Sequence, residues 1–151
     1  IIIFLTVFLK TRFAGFFIFN PVFLPVGFLI GFLLLPLHEI LHAIVYPKES
    51  AVTMGFLPQS FSFFAYSNSP ISKMRFIAMS LLPLLLGLIP FLLFIFSDPS
   101  SKNLNTVLFG IMAMGFTSPY PDFYNVFQVL KEVPQIAYIQ TSGFHAYWYW
   151  P

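Results

Sequence analysis

The stretch LLLPLHEILHAIVYP, residues 33–47, decides how this chain is interpreted. It places His38, Glu39 and His42 in the middle of an apolar run. On a helix, histidines four residues apart lie on the same face and can bind the same ion. Glu39 adjoins the first histidine without binding the ion, where it can act as a general base towards an attacking water. The pattern therefore predicts a Zn²⁺ site with three protein ligands.

Chance is the competing explanation for this motif. At the chain's histidine and glutamate frequencies, an accidental match has a probability of about one in a thousand. Ionisable groups within a membrane also cost about 3 kcal/mol each, which favours a functional role. The remaining alternative is a polar cluster that hydrogen-bonds between helices without a metal.

The composition indicates an integral membrane protein. Of 151 residues, 58% are hydrophobic and 8% are charged, whereas soluble domains are about 25% charged. Such a chain cannot cover itself with a polar surface, so we expect the lipid bilayer as its surroundings. The net charge of +2 without a basic run excludes a nucleic-acid partner. The absence of cysteine excludes disulfides, thiolate ligands and a cysteine nucleophile.

The apolar runs predict an all-α membrane protein, a single domain over residues 1–151. We expect about three to four transmembrane helices, because a span needs about 20 apolar residues. The runs cover residues 21–46, 74–96 and 104–119, with a further helix over 123–130. Pro36 predicts a kink just before the motif.

Residues 49–70 interrupt the helical pattern. Ser60, Phe61, Ser62 and Phe63 alternate strictly, with Gly55 and Pro58 as turn or bulge residues. This predicts a short β-hairpin-like insertion between the motif helix and the next span. Its edge could hold a substrate extended by β-augmentation, or the hairpin could only pack. The C-terminal GFHAYWYWP, residues 143–151, is typical of a membrane–water interface.

The third metal ligand must come from elsewhere in the chain, and the candidates are Asp98, Asp122, Glu49, Glu132 and His145. If successive spans cross the membrane in opposite directions, Asp122 would lie at the same depth in the membrane as the two histidines. The same topology places Asp98 at the opposite face, and Glu49 and Glu132 at a solvated interface. Asp122 is therefore the predicted ligand; its alternative role is a helix N-cap, which is compatible with binding. His145 is interpreted as a histidine at the membrane–water interface, and it is the second choice for the third metal ligand.

Asn125 lies one helical turn after Asp122. It could donate a hydrogen bond to the substrate carbonyl or its oxyanion, which would make it catalytic. A helix-packing amide is the equally weighted alternative.

These residues resemble a bacterial membrane family of zincin peptidases related to the site-2 proteases. The resemblance rests on HEILH late in one span, SPYPDFYN (residues 118–125) at the end of a later span, and the hairpin-like stretch between them. It covers about residues 20–130. It implies that His38, His42 and Asp122 bind zinc, with Glu39 as the catalytic base. The site-2 proteases carry glycine where this chain has Phe123.

The sequence thus predicts a zinc-dependent endopeptidase that hydrolyses peptide bonds in or near a membrane. Its partners would be a membrane-protein or peptide substrate, and its location the bacterial cell membrane. The alternative is a non-catalytic metal-binding membrane protein, or a degenerate relative acting as a partner-binding subunit.

Overall fold

A computed structural model of the chain describes residues 2–59, 61–142 and 145–150. In chain order its helices are α1 (Ile2–Ala14), α2 (Leu24–Leu33), α3 (Leu35–Ala43), α4 (Lys73–Leu81), α5 (Leu85–Phe96), α6 (Lys102–Thr117) and α7 (Tyr120–Glu132). Its strands are β1 (Thr53–Leu57), β2 (Ser62–Tyr66), β3 (Ile71–Ser72), β4 (Tyr138–Ser142) and β5 (His145–Tyr149). The chain forms two compact units, Ile1–Leu34 with Leu84–Ser118, and Leu35–Pro83 with Pro119–Pro151.

Glycines set the helix packing of the first unit, where α2 and α5 both contact α6. A Cβ at Gly27 of α2 would lie 2.6 Å from the Val107 carbonyl oxygen, and one at Gly110 of α6 would lie 2.8 Å from Gly27. Gly87 of α5 meets Gly115 of α6 in the same way. Small residues that let helix backbones approach closely are the usual contact of membrane helices.

A lysine ties α1 to the rest of the first unit. Lys10 Nζ donates to the Phe94 carbonyl, to Ser97 Oγ at 2.7 Å and to Asn105 Oδ1 at 2.9 Å. Asn105 is fully buried, and its amide donates to the carbonyls of Asp98 and Ser101. Asn105, in the first turn of α6, is therefore a buried residue whose side chain hydrogen-bonds both to Lys10 of α1 and to the loop that precedes α6.

The second unit packs α3, α4 and α7 with two small antiparallel sheets. Its core joins the middle of the chain to the C-terminal part, since Ile71 and Phe76 pack with Val129 and Ile139. The buried Lys73 at the start of α4 donates from Nζ to the Val133 carbonyl at 2.6 Å. Val133 caps the C-terminus of α7, where the helix dipole favours a cation.

The predicted hairpin is present. Strands β1 and β2 are antiparallel, with Gly55 opposite Phe64. Pro58 lies in the turn, as predicted, and Phe61 adopts a positive φ of 50° there. Gly55 is not a turn residue: it lies within β1, where a Cβ would come 2.5 Å from the Phe64 ring. Ser60, the first residue of the predicted alternation, lies outside the described residues.

The all-α prediction is wrong, because the fold mixes helices with two small antiparallel sheets. The sheet that was missed has the order β3–β4–β5 and uses the C-terminal aromatic segment as its edge strand. Each residue of β5 is exposed, so no alternation of buried and exposed positions marks it in the sequence. β3 has two residues, too few to show a pattern.

The prediction of three to four spans is also wrong. In the described residues two helical runs are long and apolar enough to cross a membrane, Pro21–Ala43 and Lys73–Phe96. The helix α6 has 16 residues, short of the roughly 20 that a span needs. The kink predicted near Pro36 corresponds to a break in the helix at Leu34, between α2 and α3, two residues before the predicted position.

Candidate metal centre

The two motif histidines lie together on α3. His38 and His42 are one turn apart, and their Nε2 atoms are 3.1 Å from each other. Their side chains are 8% and 12% exposed. The i, i+4 spacing of a helix brings the rings to the same face, so the geometry predicted from the motif is present.

Asp122 reaches the same place from α7. Its Oδ2 lies 3.2 Å from His38 Nε2, and its Oδ1 lies 3.4 Å from His42 Nε2. The N-cap alternative for Asp122 is wrong, because α7 begins at Tyr120 and Asp122 is its third residue. Pro119 and Pro121 fit the start of this helix, where the backbone N–H groups have no helical acceptor. The carboxylate therefore points into the histidine pair from the first turn of α7.

The three side chains form a group that could hold a metal ion. Tetrahedral zinc with bonds of about 2.05 Å places its ligand atoms about 3.3 Å apart. The two Nε2 atoms are 3.1 Å apart, and they lie 3.2 and 3.4 Å from the two different oxygens of Asp122. With one ligand atom from each residue, the three atoms lie within 4.8 Å of one another. The three side chains are thus close enough to bind one zinc ion, and hydrogen bonds in a metal-free polar cluster have similar lengths.

A backbone carbonyl orients His42. Its Nδ1 lies 3.0 Å from the Met79 carbonyl oxygen of α4. Because a carbonyl only accepts, Nδ1 carries a proton, and in the neutral ring the lone pair is on Nε2, which faces the ligand group. Zinc-binding histidines characteristically have such a partner on the second nitrogen. Among the described residues His38 Nδ1 is buried without a hydrogen-bond partner, so the two ligands are oriented differently.

Burial and the histidines act in opposite directions on Asp122. Burial raises the pKa of its carboxyl group, while the hydrogen bonds and charges of His38 and His42 lower it. The second effect is larger, so the pKa of Asp122 lies below its ordinary value. The carboxylate is then ionised at neutral pH, as a metal ligand must be.

Glu39 adjoins the group without belonging to it. Its carboxylate is half-buried and accepts a hydrogen bond from the backbone of Ala65 in β2. The hairpin thus contacts the motif helix at the residue predicted to act as the base. The sequence did not indicate this contact, because a backbone N–H group looks the same at every residue except proline.

The other candidate residues do not belong to the group of metal ligands. Asn125 is exposed and lines a cleft of about 120 Å³ with Gln128 and Glu132, so its catalytic role stays a prediction. His145 is an exposed residue of β5 and is not in the metal-binding group. Asp98 accepts a hydrogen bond from the Ser100 N–H in the first unit.

Comparison with known proteins gives a family. A family model described as "DUF3267: Putative zincin peptidase" matches residues 31–138. The match contains the motif, the hairpin and Asp122, and it ends before His145. No curated protein and no solved structure matches the chain significantly.

Proposed function

The chain belongs to the putative zincin peptidase family, and on this basis we propose that it is a zinc-dependent endopeptidase embedded in a membrane. The observation that carries the proposal is the convergence of His38, His42 and Asp122 with Glu39 beside them. Family membership supports a metallopeptidase at this coarse level. The relation to the site-2 proteases and the bacterial cell membrane belong to the proposal.

Each residue of the site has a role in this reaction. Bound zinc would polarise the scissile carbonyl and lower the pKa of water towards about 7. His38, His42 and Asp122 would hold the metal. Glu39 removes a proton from the attacking water and passes it to the leaving amine, a transfer that its position next to His38 allows. We assign Asn125 the donor role towards the developing oxyanion.

The substrate is a peptide segment that binds extended along β2. Ala65 directs its N–H to Glu39, away from the partner strand β1. Backbone groups alternate in direction along an antiparallel strand, so those of Phe63 point to the same side as those of Ala65. A peptide paired with Phe63 would lie beside Glu39 and the ligand group. This favours a substrate-holding edge over a hairpin that only packs.

Exposed apolar surface supports membrane embedding. The windows of the two candidate spans have mean hydropathies of 2.0 and 2.5, and 17% and 33% of them are buried. Leu29, Ile89 and Leu93 are each more than half exposed. A core helix of a soluble protein would be mostly buried, whereas lipid can cover such a surface.

The metal content of the detergent-purified protein tests the site. Elemental mass spectrometry should find about one zinc per chain in the wild type, and loss of zinc in Asp122→Ala. His145→Ala is the matched control and should keep the metal, because His145 lies outside the group. Zinc lost in His145→Ala but retained in Asp122→Ala would move the third ligand to His145. A wild type that takes up no added zinc would overturn the proposal in favour of a metal-free polar cluster.

A further inference from the structure

We propose that Pro83 is a positioning residue for the zinc site, acting through the Met79 carbonyl on His42. Proline has no backbone N–H. Its place in the chain leaves the Met79 carbonyl without its ordinary helical donor, and that carbonyl holds His42 Nδ1. The inference rests on the proposed zinc site, which it deepens.

The end of α4 shows how the carbonyl is released. The Leu82 N–H donates to the Ala78 carbonyl, which continues the i to i−4 pattern of the helix. The next donor in the series would be residue 83, and its acceptor would be Met79. Pro83 cannot donate, and the chain turns into a 3-10 segment, Leu82–Leu84. Met79 is itself buried, so the surroundings of its carbonyl hold little room for a water in place of the missing donor.

His42 takes the released acceptor. The 3.0 Å contact from Nδ1 to the Met79 oxygen fixes both the ring orientation and the tautomer. In the neutral ring Nε2 then carries the lone pair that a metal needs, and it lies 3.1 Å from His38 Nε2. Since His38 Nδ1 has no hydrogen-bond partner in the described parts of the chain, His42 is the ligand that a backbone carbonyl orients. Partners of this kind change metal affinity by about 10- to 100-fold.

Pro83→Ala restores the N–H and lets it compete with His42 for the Met79 carbonyl. A carbonyl has two lone pairs, so the competition weakens the His42 contact without abolishing it. We expect zinc affinity to fall about tenfold, measured by chelator competition on the metal-free protein. Pro90→Ala is the matched control: Pro90 is a buried proline inside α5, and the carbonyl that its N–H would reach, that of Leu86, lies beside Gly115. Pro90→Ala should leave zinc affinity unchanged.

Replacing Pro83 with lactic acid distinguishes the effect of the missing N–H on zinc affinity from the effect of the packing of the proline ring. This residue is the ester analogue of alanine, with oxygen in place of the N–H. Zinc affinity should return to the wild-type value with lactate at position 83. Affinity that stays as low as in Pro83→Ala would overturn the proposal, because the ring would then be what matters.

A spectroscopic readout does not depend on the metal. The chain has three histidines, so selective ¹⁵N labelling gives three ring systems in the zinc-free protein. At alkaline pH, once the ring signals report neutral imidazole, His42 should show the Nδ1–H tautomer in the wild type and a mixture in Pro83→Ala. An unchanged tautomer together with unchanged zinc affinity would sink the proposal. If the wild type binds no zinc, the proposed function fails, and the tautomer alone decides the role of Pro83.

Discussion

At the scale of single residues, metal binding and proton transfer are assigned to different side chains of the site. His38, His42 and Asp122 contact one another within 3.4 Å, while Glu39 is held from β2 by the backbone of Ala65. A carrier that only binds metal has no need of a carboxylate held beside its ligands. Glu39 is therefore the residue that distinguishes a peptidase from a non-catalytic metal-binding protein.

Glu39→Gln should abolish turnover and keep the metal. Glutamine has the same shape and still accepts a hydrogen bond from Ala65, but it takes no proton at neutral pH. General-base catalysis contributes about 10²- to 10⁴-fold, and we expect a loss of that size in cleavage of fluorescein-labelled casein. Zinc content, measured in parallel, should equal that of the wild type. Full activity in the variant would show that another group is the base; a zinc-loaded wild type that cleaves neither casein nor membrane peptides would favour the non-catalytic alternative.

At the scale of elements, the hairpin decides how a substrate meets the site. Strand β2 belongs to a two-stranded sheet, so one of its edges pairs with no strand among residues 2–59, 61–142 and 145–150. Ala65 uses that edge to reach Glu39. Proline is tolerated in a strand where the N–H faces away from the partner, so the role of the edge can be tested without breaking the hairpin.

Phe63→Pro should remove the outward N–H of Phe63 and lower cleavage of labelled casein, because a substrate strand loses one backbone partner. We expect a loss of about tenfold, the size of one net hydrogen bond of about 1.4 kcal/mol. Phe63→Ala, which removes the ring and keeps the N–H, is the control and should lose less. Both variants should retain zinc. Loss of zinc in Phe63→Pro alone would assign the strand a folding role instead.

The elements that the sequence predicted are those with a periodic signal. Alternation at Phe61, Ser62 and Phe63 indicated the hairpin, and the i, i+4 histidines indicated the metal-binding face of α3. The β3–β4–β5 sheet carries no such signal, since β5 is exposed at every residue. The hydrogen bonds from Ala65 and to Met79 use backbone groups, which sequence does not distinguish. The sequence gives one sign of the hydrogen bond to Met79. A proline lies four residues after Met79, which indicates that the Met79 carbonyl has no helical donor.

At the scale of the whole molecule, both units have features that support the proposed membrane embedding. In the first unit, the helices meet through Gly27 and Gly110, whose backbones approach as membrane helices do. In the second, α7 buries Val126 and Val129 but exposes Tyr120 and Phe127 by more than 60%. In the two candidate spans, only 17% and 33% of the most apolar window is buried. A water-soluble chain would gain about 25 cal/mol for each Å² of such surface that it buried, so this exposure favours a bilayer as the solvent.

The two tryptophans of the chain test that solvent directly. Trp148 and Trp150 are 44% and 58% exposed at the sheet edge. Strand β3 of the same sheet is followed immediately by Lys73, where a candidate span begins. Tryptophan is enriched at the membrane–water interface, so we expect both side chains at headgroup depth. In proteoliposomes, lipids brominated near the carbonyl end of the acyl chain should quench tryptophan fluorescence more than lipids brominated near the methyl end. Strong quenching by aqueous iodide with none by brominated lipid would place the sheet in water, and Trp150→Phe would show which side chain dominates the signal.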